Sequence, residues 1–186
     1  MLRVTLREEA DRLIDALPEH LKDVVGFALS TGLRMSNILG LQWDKVDMDR
    51  RHAVIEGEFM KNGAPLAVPL NEPTMAILRR QQGKHETHVF TFRGEPFREA
   101  NGNTWRKALK AAGIENFRFH DLRHTWASWM RESGADTRDL QELGGWKTPA
   151  MAARYQHLSS ERLMRSAKLI DDVVPKRKLK IVGGKG

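Results

Sequence analysis

Apolar residues recur at helical spacing in one short stretch after another, and glycine or proline closes most of these stretches. This pattern predicts a chain that is mainly helical and built of short pieces. From Leu6 to Ser30, Ala10, Leu13, Ile14 and Leu17 are followed, beyond Pro18, by Leu21, Val24, Val25 and Ala28, the signature of two packed helices. Thr31-Gly32 ends the second, and a short helix over Arg34 to Leu41 turns Met35, Ile38 and Leu39 inward, with Arg34 near its start. Further helices are predicted over Glu72 to Gln82, over Asn103 to Ala112 and over His120 to Ser133, the last with Leu122, Trp126, Trp129 and Met130 on one face. Asp136 or Thr137 can cap a helix running to Leu143, and Gly144-Gly145 forces a turn. Pro149 opens the helix that carries Tyr155, and Ser159 can cap a last one.

Two short β-prone runs interrupt the helices. His52 to Glu56 and Leu66 to Leu70 flank Lys61-Asn62-Gly63, whose Asn-Gly pair is a turn signal, so a hairpin tipped by Lys61 is expected. His88 to Phe92 reads as another strand. The fold class is therefore α+β, mainly helical with a small antiparallel sheet or hairpin on one side.

With 186 residues, 40% of them hydrophobic, one globular domain is the default. The absence of cysteine removes disulfides, thiolate zinc sites and cysteine nucleophiles. No apolar run reaches membrane-spanning length, and Met1-Leu2-Arg3-Val4-Thr5 lacks the apolar stretch of a secretory signal, so a soluble, cytoplasmic protein with no membrane partner is expected. The formal charge of +7 suggests a polyanionic partner, but Lys176, Arg177, Lys178, Lys180 and Lys185 supply five of those charges, leaving +2 for the first 172 residues. Bulk charge alone is thus a weak argument for nucleic acid.

The stronger argument lies in a set of reactive side chains. Cleaving a phosphodiester without a metal demands a nucleophile, fixed cations for the non-bridging oxygens, an acid for the leaving oxygen and a base. His120 and Arg123 stand three apart at a helix start, on one face and near backbone amides suited to an anion. Arg34, Lys61, Trp146 and the single tyrosine, Tyr155, complete the candidates. Each has a plain structural alternative: a surface arginine, a solvated hairpin tip, a capping histidine, a core tryptophan, a half-buried tyrosine.

Taken together, Thr31-Gly32-Leu33-Arg34, Lys61, His120-Asp121-Leu122-Arg123-His124-Thr125, Leu143-Gly144-Gly145-Trp146 and Ala153-Arg154-Tyr155 resemble the tyrosine recombinases of the phage integrase type. The spacing from Arg123 to Trp146 and from there to Tyr155 is typical of that family, and the likeness runs from about Thr5 to Ile170.

The resemblance implies a tyrosine-recombinase catalytic domain over residues 1–172, with the family's N-terminal DNA-binding domain absent, and a basic tail over 173–186. It implies that Tyr155 attacks a backbone phosphate of double-stranded DNA and leaves a 3′-phosphotyrosyl bond, without metal, ATP or other cofactor. Arg34 and Arg123 would hold the non-bridging oxygens, each contributing about 3 to 4 kcal/mol in comparable sites. Lys61 would protonate the departing 5′ oxygen, Trp146 would donate its indole N–H to a phosphate oxygen, and His120 would accept the tyrosine proton. Ionising a tyrosine in advance at pH 7 costs about 4 kcal/mol, so proton removal during attack is the economical route. His124 is read as structural.

Family members work as homo-oligomers on DNA, a tetramer being expected, and the segment beyond Tyr155 often docks on a neighbouring protomer. A disordered basic tail is the alternative for that segment. Asn37 departs from the pattern, since the family usually carries an acid three residues after the first arginine. Three other readings compete: a non-catalytic helix-turn-helix module formed by Thr137 to Leu143 and Pro149 to His157, a relaxing topoisomerase of the same chemistry, and a metal nuclease prompted by His85-Glu86-Thr87-His88.

Overall fold

In the computed structural model, which describes residues 5–56 and 65–155, helix ends fall at the chain's prolines and glycines. Helices α1 (Arg7–Ala16) and α2 (Glu19–Thr31) meet at Pro18, the N-cap of α2. Gly32 ends α2 in the left-handed region, φ 65°, with its N–H on the Ala28 carbonyl at 2.9 Å.

Helix α2 is the centre of the molecule. Leu21, Val24, Val25, Phe27 and Ala28 are all buried, so the helix is covered on most sides, and α4 (Glu72–Gln81) and α6 (Asp121–Glu132) pack against it. Buried Asp23 also ties α2 to α4, accepting hydrogen bonds from Arg80 Nη2 at 2.6 Å and Gln81 Nε2 at 2.5 Å.

Beyond α3 (Met35–Leu39) and a 3-10 turn at Trp43–Lys45, the chain forms an antiparallel sheet of β1 (Val46–Asp47), β2 (His52–Ile55) and β3 (Leu66–Pro69) with β2 in the middle. The expected hairpin therefore gains a third strand. Pro69 is tolerated because β3 is an edge strand. The pairing Ile55↔Leu66 sets the hairpin register, while its tip, residues 57–64 with Lys61, lies outside the described residues.

The strand expected over His88 to Phe92 is shorter. Thr91–Phe92 (β4) pairs with Glu95–Pro96 (β5) across an Arg93-Gly94 turn in which both residues have positive φ, and His88 makes a single antiparallel bridge to Gln42. The preceding residues run beside the α3 exit instead: Trp43 N–H donates to Thr87 O at 2.8 Å and Val89 N–H to Leu41 O at 2.9 Å. Burial of Val89 and Phe90 produced the strand-like pattern without a full ladder.

After α5 (Asn103–Ala111) come α6, then α7 (Thr137–Gly144) and α8 (Pro149–Ala153). Asp136 and Asp139 cap α7 reciprocally, each carboxylate accepting the other residue's N–H at 2.8 Å. Helix α8 stops earlier than expected, so Tyr155 sits in the turn beyond it, its N–H on Ala152 O at 3.2 Å. The main core is joined by a second cluster of Trp126, Ala127, Leu140, Ala152 and Tyr155.

Helix α6 bridges the two. Leu122 belongs to the main core and Trp126 to the second cluster, while Trp129 and Met130, expected on the same face, are only partly buried. Arg123, Thr125, Ser128 and Arg131 are buried as well, which a polar reading of those letters hides. The helix expected from Ser159 and the basic tail lie outside the described residues, among which no helix is long and apolar enough to cross a membrane.

Candidate active site

Helix α6 brings two histidines and an arginine to one place because its first turn begins at a buried carboxylate. Asp121 is 2% exposed and accepts the Arg118 backbone N–H at 2.8 Å and Arg118 Nη2 at 3.0 Å, which fixes the approach to the helix. Burial pushes the Asp121 carboxyl up, but the Arg118 hydrogen bonds and charge outweigh it, and the net shift is downward.

Arg123 is the best-fixed of the expected site residues. It is 4% exposed, donates from Nη1 to the Gly32 carbonyl and from Nη2 to the Gly144 carbonyl, both at 2.6 Å, and lies with Cζ 4.2 Å from the Trp146 ring centroid. Among the described residues no carboxylate pairs with it. Burial, then the charge of Arg34, pulls its pKa down to about 10, so it stays charged at pH 7.

A buried cation held by carbonyl dipoles alone is costly unless an anion completes the site. Both carbonyls belong to glycines whose neighbours are tryptophan rings. A Cβ on Gly32 would stand 2.2 Å from Trp126, and one on Gly144 2.3 Å from Trp146.

Arg34 is the N-cap of α3, half-buried, with its charge felt at both Arg123 and His120. It lines an open cleft of about 610 Å³ together with Ser36, Asn101, Arg106, Arg118 and His120. The floor is partly aromatic, from Trp105, Phe117 and Phe119. Arg34, Arg106 and Arg118 give the cleft three positive charges, which suits an anionic group at its rim. Buried Asn37 follows Arg34 in α3.

His120 keeps exposed surface, yet partial desolvation first, and then Arg123, holds its pKa below the usual histidine range. Its ring meets that of His124 edge-on, centroids 5.0 Å apart.

Tyr155 is 3% exposed, and burial raises its pKa above the ordinary value while Arg123 and Arg154 oppose the rise. Its ring lies 5.6 Å from Trp146, which stacks in turn on Trp126 at 6.1 Å. Arg123, Trp146 and Tyr155 are thus brought together, with Arg34 and His120 at the adjoining cleft.

His124, read from the sequence as structural, lies against the tyrosine. Its Nδ1 is hydrogen-bonded to the Tyr155 hydroxyl, with ring centroids 5.8 Å apart. The available signal was its place four residues after His120, which puts both rings on one face of α6.

The His85-Glu86-Thr87-His88 segment forms no zinc-type helix. It is a loop in which His85 Nδ1 accepts the N–H groups of Thr87 and His88, each at 3.1 Å, and among the described residues no group of three metal-type side chains comes together.

Known proteins resemble this chain in sequence and in fold. Residues 3–162 match the family model described as the phage integrase family. The chain is 45% identical over 178 residues to an integrase of Salmonella phage P22, covering 89% of this chain and 46% of that protein. It is 31% identical over 185 residues to the tyrosine recombinase XerC of Xanthomonas campestris, covering 93% of this chain and 56% of that one. It therefore spans about half the length of the curated relatives it matches. In fold it is similar to the Tn1549 transposon integrase solved with a circular intermediate DNA, with a TM-score of 0.74 at 15% identity over 91% of this chain and 66% of that one. The arginine clamp and the tyrosine beside it accordingly stand in a chain that belongs to the phage integrase family.

Proposed function

We propose that the chain is the catalytic part of a site-specific DNA recombinase, breaking and rejoining strands through a covalent bond to Tyr155. The observation that carries this reading is the buried Arg123 charge, held by two carbonyls and stacked on Trp146 next to the Tyr155 ring. That is a nucleophile next to a cation that no carboxylate pairs with among the described residues.

In this reading Arg34 and Arg123 hold the non-bridging oxygens of the scissile phosphate, and the flanking backbone follows the cleft past Arg106 and Arg118. Trp146 keeps Arg123 and Tyr155 in place, and its indole N–H adds a donor. His120 stands at the cleft edge, where its ring N–H donates to a phosphate oxygen. Lys61 supplies the leaving-group proton from the hairpin. Double-stranded DNA is the partner, and a homo-oligomer, a tetramer in the full protein, assembles on it through the segment beyond Tyr155.

The helix-turn-helix reading is weaker because α8 is only five residues long and the tyrosine behind it is buried in the second cluster, leaving little to insert in a groove. The decisive experiment offers a nicked duplex and separates products on a denaturing gel. A covalent adduct with the wild-type chain that disappears in Tyr155→Phe supports catalysis. DNA binding with no adduct makes the chain a binding module.

A further inference from the structure

His124 is the histidine that touches the nucleophile. Its Nδ1 meets Tyr155 Oη, whereas His120, the expected proton acceptor, packs T-shaped on the His124 ring. His124 follows Arg123 directly in α6, so one helical turn fixes both the arginine that would hold the phosphate and the contact to the attacking oxygen. It is half-buried, and its contact spans 31 residues of sequence.

We propose that His124 is a catalytic residue of strand cleavage, holding the Tyr155 hydroxyl and taking its proton as the oxygen attacks. The inference rests on the recombinase reading above. In the step, the Tyr155 Oη–P bond forms while the P–O5′ bond breaks, and the phenol proton passes to Nδ1. The departing oxygen takes a proton from the acid that reading assigns to Lys61. In rejoining, a 5′ hydroxyl attacks phosphorus, returns its proton to that acid, and His124 gives the Nδ1 proton back to Oη. This requires the ring proton of resting His124 to sit on Nε2.

The surroundings suit the role. Burial first, then His120, Arg123 and Arg118, pull the His124 pKa down to about 4 against the opposing carboxylate of Asp121, so the ring is neutral and its lone pair is available at pH 7. A phosphodiester arriving between Arg34 and Arg123 brings negative charge that offsets the arginines. His124 then becomes a better base when a substrate is present, and stays a poor one when none is.

The test uses a nicked duplex recovered from a randomised pool by covalent capture on the wild-type chain. Single-turnover adduct formation is compared for wild type, His124→Ala and His124→Asn, with DNA binding followed by mobility shift. Asparagine places an amide oxygen near the position of Nδ1, so it holds the hydroxyl but takes no proton, and its similar size guards against loss of folding. The expected result is a drop of about 100-fold or more for both variants at unchanged DNA binding, with added imidazole speeding His124→Ala.

Near-wild-type cleavage by His124→Asn overturns proton transfer, and near-wild-type cleavage by His124→Ala overturns the whole proposal. A wild-type chain that yields no adduct overturns the recombinase reading itself, an outcome distinct from a wild type and variants that cut equally.

Discussion

The Arg123 guanidinium carbon lies 4.2 Å from the centre of the Trp146 ring. The tryptophan is thus a support for the charge, in addition to the hydrogen-bond donor its indole N–H offers. Trp146→Ala should lower stability by about 2 to 3 kcal/mol and slow adduct formation, while Trp146→Phe should recover most of both. Denaturant unfolding and the denaturing gel measure the two effects separately.

Arg123→Lys should keep the fold but lose about 100- to 1,000-fold in single-turnover cleavage. One ammonium cannot bridge the Gly32 and Gly144 carbonyls and still present a fork to phosphate. Circular dichroism checks folding, and adduct formation at saturating DNA reads the chemistry. A lysine variant that cuts at the wild-type rate would sink the clamp.

Gly32 and Gly113 offer a controlled comparison. Both have positive φ, 65° and 70°, but a Cβ on Gly32 meets Trp126 at 2.2 Å while one on Gly113 meets nothing within 4 Å. Gly113→Ala should cost about 1 kcal/mol through backbone strain alone. Gly32→Ala should cost about 2 kcal/mol more, because Trp126 must move, and should weaken cleavage by displacing the Arg123 acceptor. Equal losses in urea unfolding would show that the ring gives way freely.

Two pH measurements follow from the buried site. His124 has a folded pKa of about 4 against 6.5 for the free side chain, so between those values the unfolded chain binds a proton that the folded one does not. Its contribution to stability is complete above pH 6.5, declines as pH falls through that window and is gone below about 4. His124→Asn should flatten this part of the stability profile. Asp121, shifted down from 3.8, acts only at still lower pH.

Tyr155 is the single tyrosine, so the ultraviolet absorbance of phenolate reports it alone. Its midpoint should lie above 10, and Arg154→Gln should raise it further by removing one of the two opposing charges. A midpoint at or below 10 would mean that burial does not govern the hydroxyl.

Much of this was legible in the residues. Periodicity and punctuation located α1, α2, α4, α5, α6 and α7 because each buries a regular stripe and ends at a residue that cannot continue it. The order Arg34, His120, Arg123, Trp146, Tyr155 pointed to the site because its spacing matched a known pattern. What remained hidden depended on tertiary contacts: a strand pattern at His88 to Phe92 that pairs only near its ends, a helix that stops before Tyr155, and polar letters in α6 that face inward. The contact between His124 and Tyr155 was hidden for the same reason, since the two lie 31 residues apart.

Tyr155 belongs to the second cluster, packed with Trp126, Leu140 and Ala152. On the recombinase reading the same ring answers to two kinds of selection. A lineage that no longer needed its chemistry would still keep an aromatic residue there to hold α6, α7 and α8 together, and phenylalanine would be the cheapest replacement. Relics of such domains should accordingly lose a single oxygen first, remaining well folded and silent, long before their sequences drift far enough to be unrecognisable.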